Sequence, residues 1–283
     1  MKLKKINYQK LFFEHLTKYS PYKKNISWTK WYSNVAVFKG ERTAQILLEY
    51  KGSDAKVLDL GCGIGLSLSI LSDYFSKIVG CDTEEDAIKA SKIILNKAGK
   101  DVSLFKYNGK KLPFKDNSFD IVTLIEVYEH VEDTKILIDE VYRVLKKDGV
   151  AHITTANKWW PIEPHFKLLF LSYLPGFLAD FYVKVSGRGE KYSDIKLPSY
   201  SEFKKAVERR FVVEDITLKL IEDYEKYSFH KERGNILIIV GEFLKFLNTF
   251  RRIRILKFLV DLFKEFLLRI SLGWLFIAKP RIK

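Results

Sequence analysis

Val57-Leu-Asp-Leu-Gly-Cys-Gly-Ile-Gly65 decides the fold. Residues 56–60 are a short apolar run, which ends in a turn with glycines at 61, 63 and 65. Residues 66–75 behind it read as a helix. Working outward, 78–81 is a second strand that ends at Asp82-Thr83, 84–98 an amphipathic helix, 102–107 a third strand and 119–125 a fourth. Residues 134–147 read as a helix stopped by Asp148-Gly149, and 150–155 as a fifth strand. A helix at 201–210 and strands at 211–218 and 273–279 complete the pattern. Short apolar strands alternating with longer helices call for a parallel sheet covered on both faces. Right-handed crossovers then make it doubly wound. The expected class is α/β, a mainly parallel seven-stranded sheet with helical insertions.

In such a sheet, ligands bind beyond the carboxyl ends of the strands, where strand order reverses. Three junctions fall at strand ends: the turn from Asp59 to Gly65, Asp82 on the next strand, and Glu126 after the fourth. Glycines at 61, 63 and 65 let the backbone bend sharply and approach a ligand closely. Asp82 can accept both hydroxyls of a ribose. A dinucleotide site wants G-x-G-x-x-G, but position 66 is Leu and the third glycine comes one residue early. Asp59 stands two residues before the first glycine, where its charge would repel a pyrophosphate and attract a cation. That asymmetry points to a positively charged nucleoside, S-adenosylmethionine, with its ammonium and sulfonium.

These residues carry a family resemblance. Residues 57–65 resemble the first motif of class I S-adenosylmethionine-dependent methyltransferases. Leu112-Pro-Phe-Lys-Asp-Asn-Ser-Phe-Asp-Ile-Val122 is similar to the segment that leads into their fourth strand, and Tyr142-Arg-Val-Leu-Lys-Lys-Asp-Gly149 to the helix and turn before their fifth. The branch most resembled is the small-molecule one that includes ubiquinone and menaquinone methyltransferases. The resemblance implies a Rossmann-like methyltransferase sheet in which Asp59 and the backbone of Gly61, Gly63 and Gly65 hold the methionine end. It further implies that Asp82 binds the ribose, with Thr83 beside the adenine, and that Glu126 and Val127 line the methyl-donor pocket. Where the family commonly has an Asp near the adenine amino group, this chain has Tyr107-Asn-Gly109, so Asn108, followed by Gly109, takes that place. An Asn can still accept that bond through its side-chain oxygen.

Methyl transfer is an in-line displacement, and a base is needed only for a hydroxyl or acidic-carbon acceptor. His130, four residues after Glu126, is the expected base or else a histidine bonded to backbone. His165, near Trp159, Trp160 and Glu163, is placed to face the acceptor. His152 reads as a core residue, and Cys62 and Cys81 as packing. No metal is expected.

The chain has 283 residues, a net charge of +14 and 47% hydrophobic residues, which excludes a disordered chain. Two cysteines exclude a disulfide scaffold and suit a reducing, cytosolic compartment. Residues 1–30 hold eight Lys and one acid, and residues 251–283 nine Lys and Arg with two acids, so the body between the ends is neutral. Basic ends either touch an anionic surface or merely keep the chain soluble. A neutral core without an Asn-Pro-Pro-Tyr-type motif after the fourth strand disfavours a nucleic-acid substrate. Residues 6–13 are broken by Asn7, Gln9 and Lys10, so no secretory signal is expected.

The chain divides into a basic N-terminal helical segment at 1–34, a cofactor-binding core at 35–156 and an apolar insert at 157–199. Residues 200–283 return to the sheet and carry a helical insertion at about 225–270. The insert at 157–185, rich in Leu, Phe, Tyr and Trp, forms either an acceptor channel or a lid. In residues 242–270, Lys257, Asp261, Lys264, Glu265 and Arg269 share one stripe opposite Leu256, Leu259, Val260, Phe263, Phe266, Leu267 and Ile270. Clustered Arg beside a wide apolar face is the pattern of an interfacial helix, though such faces also pack on protein or on a second subunit. The function expected is methyl transfer to a hydrophobic, lipid-linked acceptor (quinone-like, polyprenyl or glycolipid) by a cytoplasmic enzyme peripheral to an anionic membrane. The alternatives are a soluble small molecule or sugar as acceptor, or a non-catalytic membrane-associated scaffold on the same fold.

Overall fold

The computed structural model describes residues 6–19 and 26–281. Lys2, Lys4, Lys5, Lys23 and Lys24 of the basic N-terminal stretch therefore lie outside the described residues. The strands are β1 (Lys56–Leu60), β2 (Lys77–Asp82), β3 (Ser103–Lys106), β4 (Phe119–Ile125), β5 (Leu145–Ala156), β6 (Phe211–Asp215) and β7 (Gly273–Pro280). They form one sheet in the order β3-β2-β1-β4-β5-β7-β6, parallel except for β7, which runs against both its neighbours. The order reverses between β1 and β4, which places a ligand crevice beyond their carboxyl ends.

Eleven α-helices accompany the strands among the described residues. Ahead of the sheet lie α1 (Tyr8–Tyr19) and α2 (Ile26–Leu48), the latter running through residue 34. Within the core come α3 (Leu66–Tyr74), α4 (Glu85–Lys97) and α5 (Thr134–Val144). The insert holds α6 (Gly176–Val185), and α7 (Tyr200–Glu208) precedes β6. Between β6 and β7 lie α8 (Thr217–Glu222), α9 (Phe229–Arg233), α10 (Ile236–Thr249) and α11 (Arg254–Ile270).

Strand alternation divides the interior into two layers. Val57 and Ile121 point to the layer that contains Leu47, Leu68, Ile70 and Ile94 from α2, α3 and α4. Leu58, Leu60, Val122 and Leu124 point to the other, against Leu137 and Val141 of α5, Phe203 of α7 and Trp274 of β7. Each β1 residue is buried except Lys56, as a central parallel strand requires.

Three elements depart from the sequence reading. α5 ends at Val144, and β5 begins at Leu145 instead of 150. Leu145 pairs with Phe119, and the register then slips so that Val150 faces Ile121. The extra residues 146–149 form a bulge, pinned where Lys146 Nζ meets Asp120 Oδ1 at 2.8 Å. Lys-Lys-Asp-Gly is thus a bulge within a strand, where the sequence reads as a helix stop. The strand at 211 ends at Asp215, whose Oδ1 accepts from Thr217 N at 2.9 Å and turns the chain into α8. The helical insertion expected at about 225–270 is interrupted by a 3-10 turn at Phe250–Arg252, between α10 and α11.

Candidate functional site

The turn after β1 is closed by backbone bonds from Gly61 and Cys62 N–H to the carbonyl of Cys81, at 2.7 and 3.1 Å. Gly61, Gly63 and Gly65 all sit in the left-handed region, with φ of 75°, 53° and 85°. Asp59 is buried at the base of this turn. Its Oδ1 accepts a 2.6 Å bond from Thr123 Oγ1, whereas Oδ2 is buried without a partner. Burial pushes the Asp59 carboxyl up to about 6, helped by the charge of Asp82 and opposed by the Thr123 bond. A buried carboxylate oxygen with no donor is costly unless a ligand supplies one.

Asp82 ends β2 beside the turn. Its Oδ2 accepts from Gly63 N at 2.8 Å and its Oδ1 from Glu84 N at 3.0 Å, leaving lone pairs on both oxygens. Thr83 lies next to Gly109, where an added Cβ would come within 3.7 Å of its methyl. Asn108 differs from the sequence reading in its free group. Its Oδ1 already accepts from Lys110 N and Lys111 N, both at 3.0 Å, so the side-chain amide NH2 is what remains for a ligand. From the N-terminal side, buried His15 of α1 bonds the carbonyl of Ile64 in the glycine turn at 3.1 Å. Burial lowers this histidine to about 4, so it is neutral at physiological pH.

Glu126 follows β4 at φ 57°, a left-handed conformation that costs a non-glycine residue about 1–3 kcal/mol. Thr154 Oγ1 accepts from its backbone N–H at 3.0 Å, and Lys39 meets its Oε1 at 2.5 Å. Val127 packs on Gly61. A 3-10 turn, Tyr128–His130, then places three groups that the chain separates by up to 36 residues. Ligating atoms of Glu129, His130 and His165 all lie within 4.8 Å of one another. The His130 and His165 rings meet edge to face at 5.1 Å. His165 Nδ1 is 2.6 Å from Oε1 of Glu163, which is itself buried. Burial lowers His130, with the charge of His165 adding to it. Burial also opposes charge on His165, but the Glu163 bond outweighs it and raises the group. Glu129 is pushed up to about 7, chiefly by burial. The sequence reading named both histidines but missed Glu129 and gave Glu163 no role. The adjacent Glu-His pair after a strand end was the available signal.

Two substitutions separate the turn's fold from its crevice. A Cβ at Gly61 would meet Val127 Cγ2 at 2.3 Å, whereas one at Gly63 meets nothing within 4 Å. Both variants carry the left-handed penalty of about 1–2 kcal/mol. Only Gly61→Ala adds overpacking of about 1–3 kcal/mol, so its urea midpoint should fall further. Gly63→Ala should fold and yet bind S-adenosylmethionine poorly, because its methyl occupies the open crevice. Equal midpoints, or full cofactor affinity in Gly63→Ala, would contradict this geometry.

Residues 58–153 match the methyltransferase domain family. The chain is 31% identical over 105 residues to the ubiquinone biosynthesis O-methyltransferase of Bartonella bacilliformis, covering 37% of this chain and 42% of that one. It is 32% identical over 137 residues to the demethylmenaquinone methyltransferase of Corynebacterium kroppenstedtii, covering 48% and 56%. It thus spans about half the length of the curated relatives it matches. The crystal structure of the YcgJ protein of Bacillus subtilis shares the fold, with a TM-score of 0.51 at 18% identity over 86% of this chain and 99% of that one.

Proposed function

We propose that this chain, whose residues 58–153 match the methyltransferase domain family, is a class I S-adenosylmethionine-dependent methyltransferase that transfers a methyl group to a hydrophobic, lipid-linked acceptor at a membrane surface. When bound, the cofactor supplies an electrophilic methyl on a sulfonium. The residues fit it: Asp59 Oδ2 lacks a donor that an ammonium would provide, and the space beside Gly63 is open. In this reading Asp82 takes the ribose hydroxyls, Thr83 and Gly109 flank the adenine, and the Asn108 side-chain amide N–H donates to it. Glu126 and Val127 close the donor pocket, and His130 with His165 faces the acceptor.

The observation that carries the acceptor class is the surface beside the site. Phe177 and Phe181 of α6 are 74% and 65% exposed, and Trp159, Leu169, Phe170 and Val185 are exposed with them. The insert buries only a small core of its own around Leu168, Leu171, Ala179 and Val183. Asn157 ties its start to the end of α11, donating to the carbonyls of Arg269 and Ser271 at 2.9 and 2.7 Å. On α11, Val260 is buried, while Ile255, Phe258, Leu259, Leu262, Phe263, Phe266 and Ile270 are exposed. An apolar surface of this extent on both sides of one junction marks an interaction site. No helix among the described residues is long and apolar enough to cross a membrane. The named relatives act in ubiquinone and menaquinone pathways, which supports a quinone-like acceptor.

Incubation with methyl-labelled cofactor tests the reading. Label should enter a total lipid extract and not a polar extract; uptake into the polar fraction alone would favour a soluble acceptor. Cofactor binding should also depend on pH. With the Asp59 carboxyl at about 6 in the free protein, protons compete with the cationic ligand below that pH. Affinity should be flat above about pH 6 and fall roughly tenfold per unit below it. Constant affinity from pH 5 to 8 in calorimetry would separate Asp59 from the ligand.

A further inference from the structure

We infer that Glu129, His130 and His165 form a binding site for a divalent transition-metal ion at the acceptor end of the pocket. Their ligating atoms converge within 4.8 Å from two elements far apart in sequence, the 3-10 turn after β4 and the insert. An ion at about 2.0–2.2 Å from each would draw them to roughly 3.5 Å apart, a side-chain adjustment alone. Two imidazoles and one carboxylate are the donor set that suits zinc or iron and leaves positions open for an acceptor.

The surroundings match a ligand shell as well. His165 has Nδ1 on the buried carboxylate of Glu163 at 2.6 Å, which turns Nε2 outward as the ligating nitrogen. Glu163 is held in turn by the backbone N–H groups of His165 and Phe166, at 2.8 and 2.6 Å. Glu129 keeps Oε2 on the hydroxyl of Thr155 at 2.9 Å. A histidine stack for packing alone would need neither buried glutamate.

The consequence for chemistry rests on the methyl-transfer reading. An ion held by these three residues would lower the pKa of an acceptor hydroxyl, which favours hydroxyl acceptors and O-methylation. The hydroxyl proton leaves to Glu126 or solvent. The oxygen forms a bond to the methyl carbon as the carbon–sulfur bond breaks, and the sulfur keeps the electron pair. The products are a methyl ether, S-adenosylhomocysteine and one proton.

The test uses the full chain, stripped with chelator and titrated with Co2+ alone as a visible probe. One equivalent should bind with d–d absorption, and a hundredfold excess of Mg2+ should not displace it. Glu163→Gln should weaken binding roughly ten- to a hundredfold, and the double variant His130→Ala/His165→Ala should abolish it. Each variant should keep its calorimetric S-adenosylmethionine binding, which serves as the fold control. Absence of Co2+ binding, displacement by Mg2+, or binding that survives the double variant would overturn the metal site. Loss of cofactor binding by the unmodified chain would instead overturn the methyltransferase reading and leave the metal result standing.

Discussion

Asp59→Asn is expected to lower S-adenosylmethionine affinity by about ten- to a hundredfold while the protein stays folded. The loss follows from one charge-assisted bond, worth about 1.5–3 kcal/mol when the partner is ionised. The fold survives because an amide oxygen can still accept the Thr123 hydroxyl that Oδ1 accepts at 2.6 Å. The same variant should also lose the affinity change near pH 6, because the titrating group has gone. Calorimetry over a pH series reads both effects. Unchanged affinity, or a variant that still weakens below pH 6, would assign the cation to another group.

The second large effect concerns the membrane. Phe258, Leu262 and Phe266 lie along one side of α11 and are exposed. Replacing all three by Ser should cost vesicle binding about a thousandfold or more, since fully burying each large apolar side chain contributes roughly 1.5–3 kcal/mol. Thermal stability should hold, because the helix packs on the body through Val260 and through Lys264, which meets Glu222 Oε1 at 2.6 Å. Flotation of the unmodified chain should favour anionic vesicles and weaken with salt, as exposed charge is screened. If the protein instead elutes as a dimer that the triple variant splits, the face belongs to a second subunit. Flotation equal in both proteins would remove α11 from the membrane contact.

β1, β2 and β4 were legible because central parallel strands are buried on both faces and read as nearly continuous apolar runs. The glycine turn, Asp59 and Asp82 were legible for a related reason: a crevice at strand ends is encoded locally. The bulge at 146–149 was not, since Lys-Lys-Asp-Gly has the composition of a helix end, and only pairing with Phe119 and Ile121 makes it strand. Glu129, His130 and His165 are joined by tertiary folding across 36 positions, which no periodicity can show. For α11, periodicity located an apolar side but could not say which way it faces. Val260 turns inward together with Lys264, while Phe263 and Phe266 of the same expected face turn out to solvent. The charged stripe is also largely paired within the molecule, Arg251 with Asp261 at 2.9 Å and Arg269 with Glu265 at 3.3 Å. Arg252 and Lys257 are left exposed near the apolar surface.

The decisive measurement is a crystal of the full chain soaked with S-adenosylhomocysteine. Density is expected in the crevice beyond β1 and β2, with the amino group within hydrogen-bond reach of Asp59 Oδ2 and the ribose hydroxyls on Asp82. An empty crevice at saturating ligand, or the ligand bound away from Asp59 and Asp82, would contradict it.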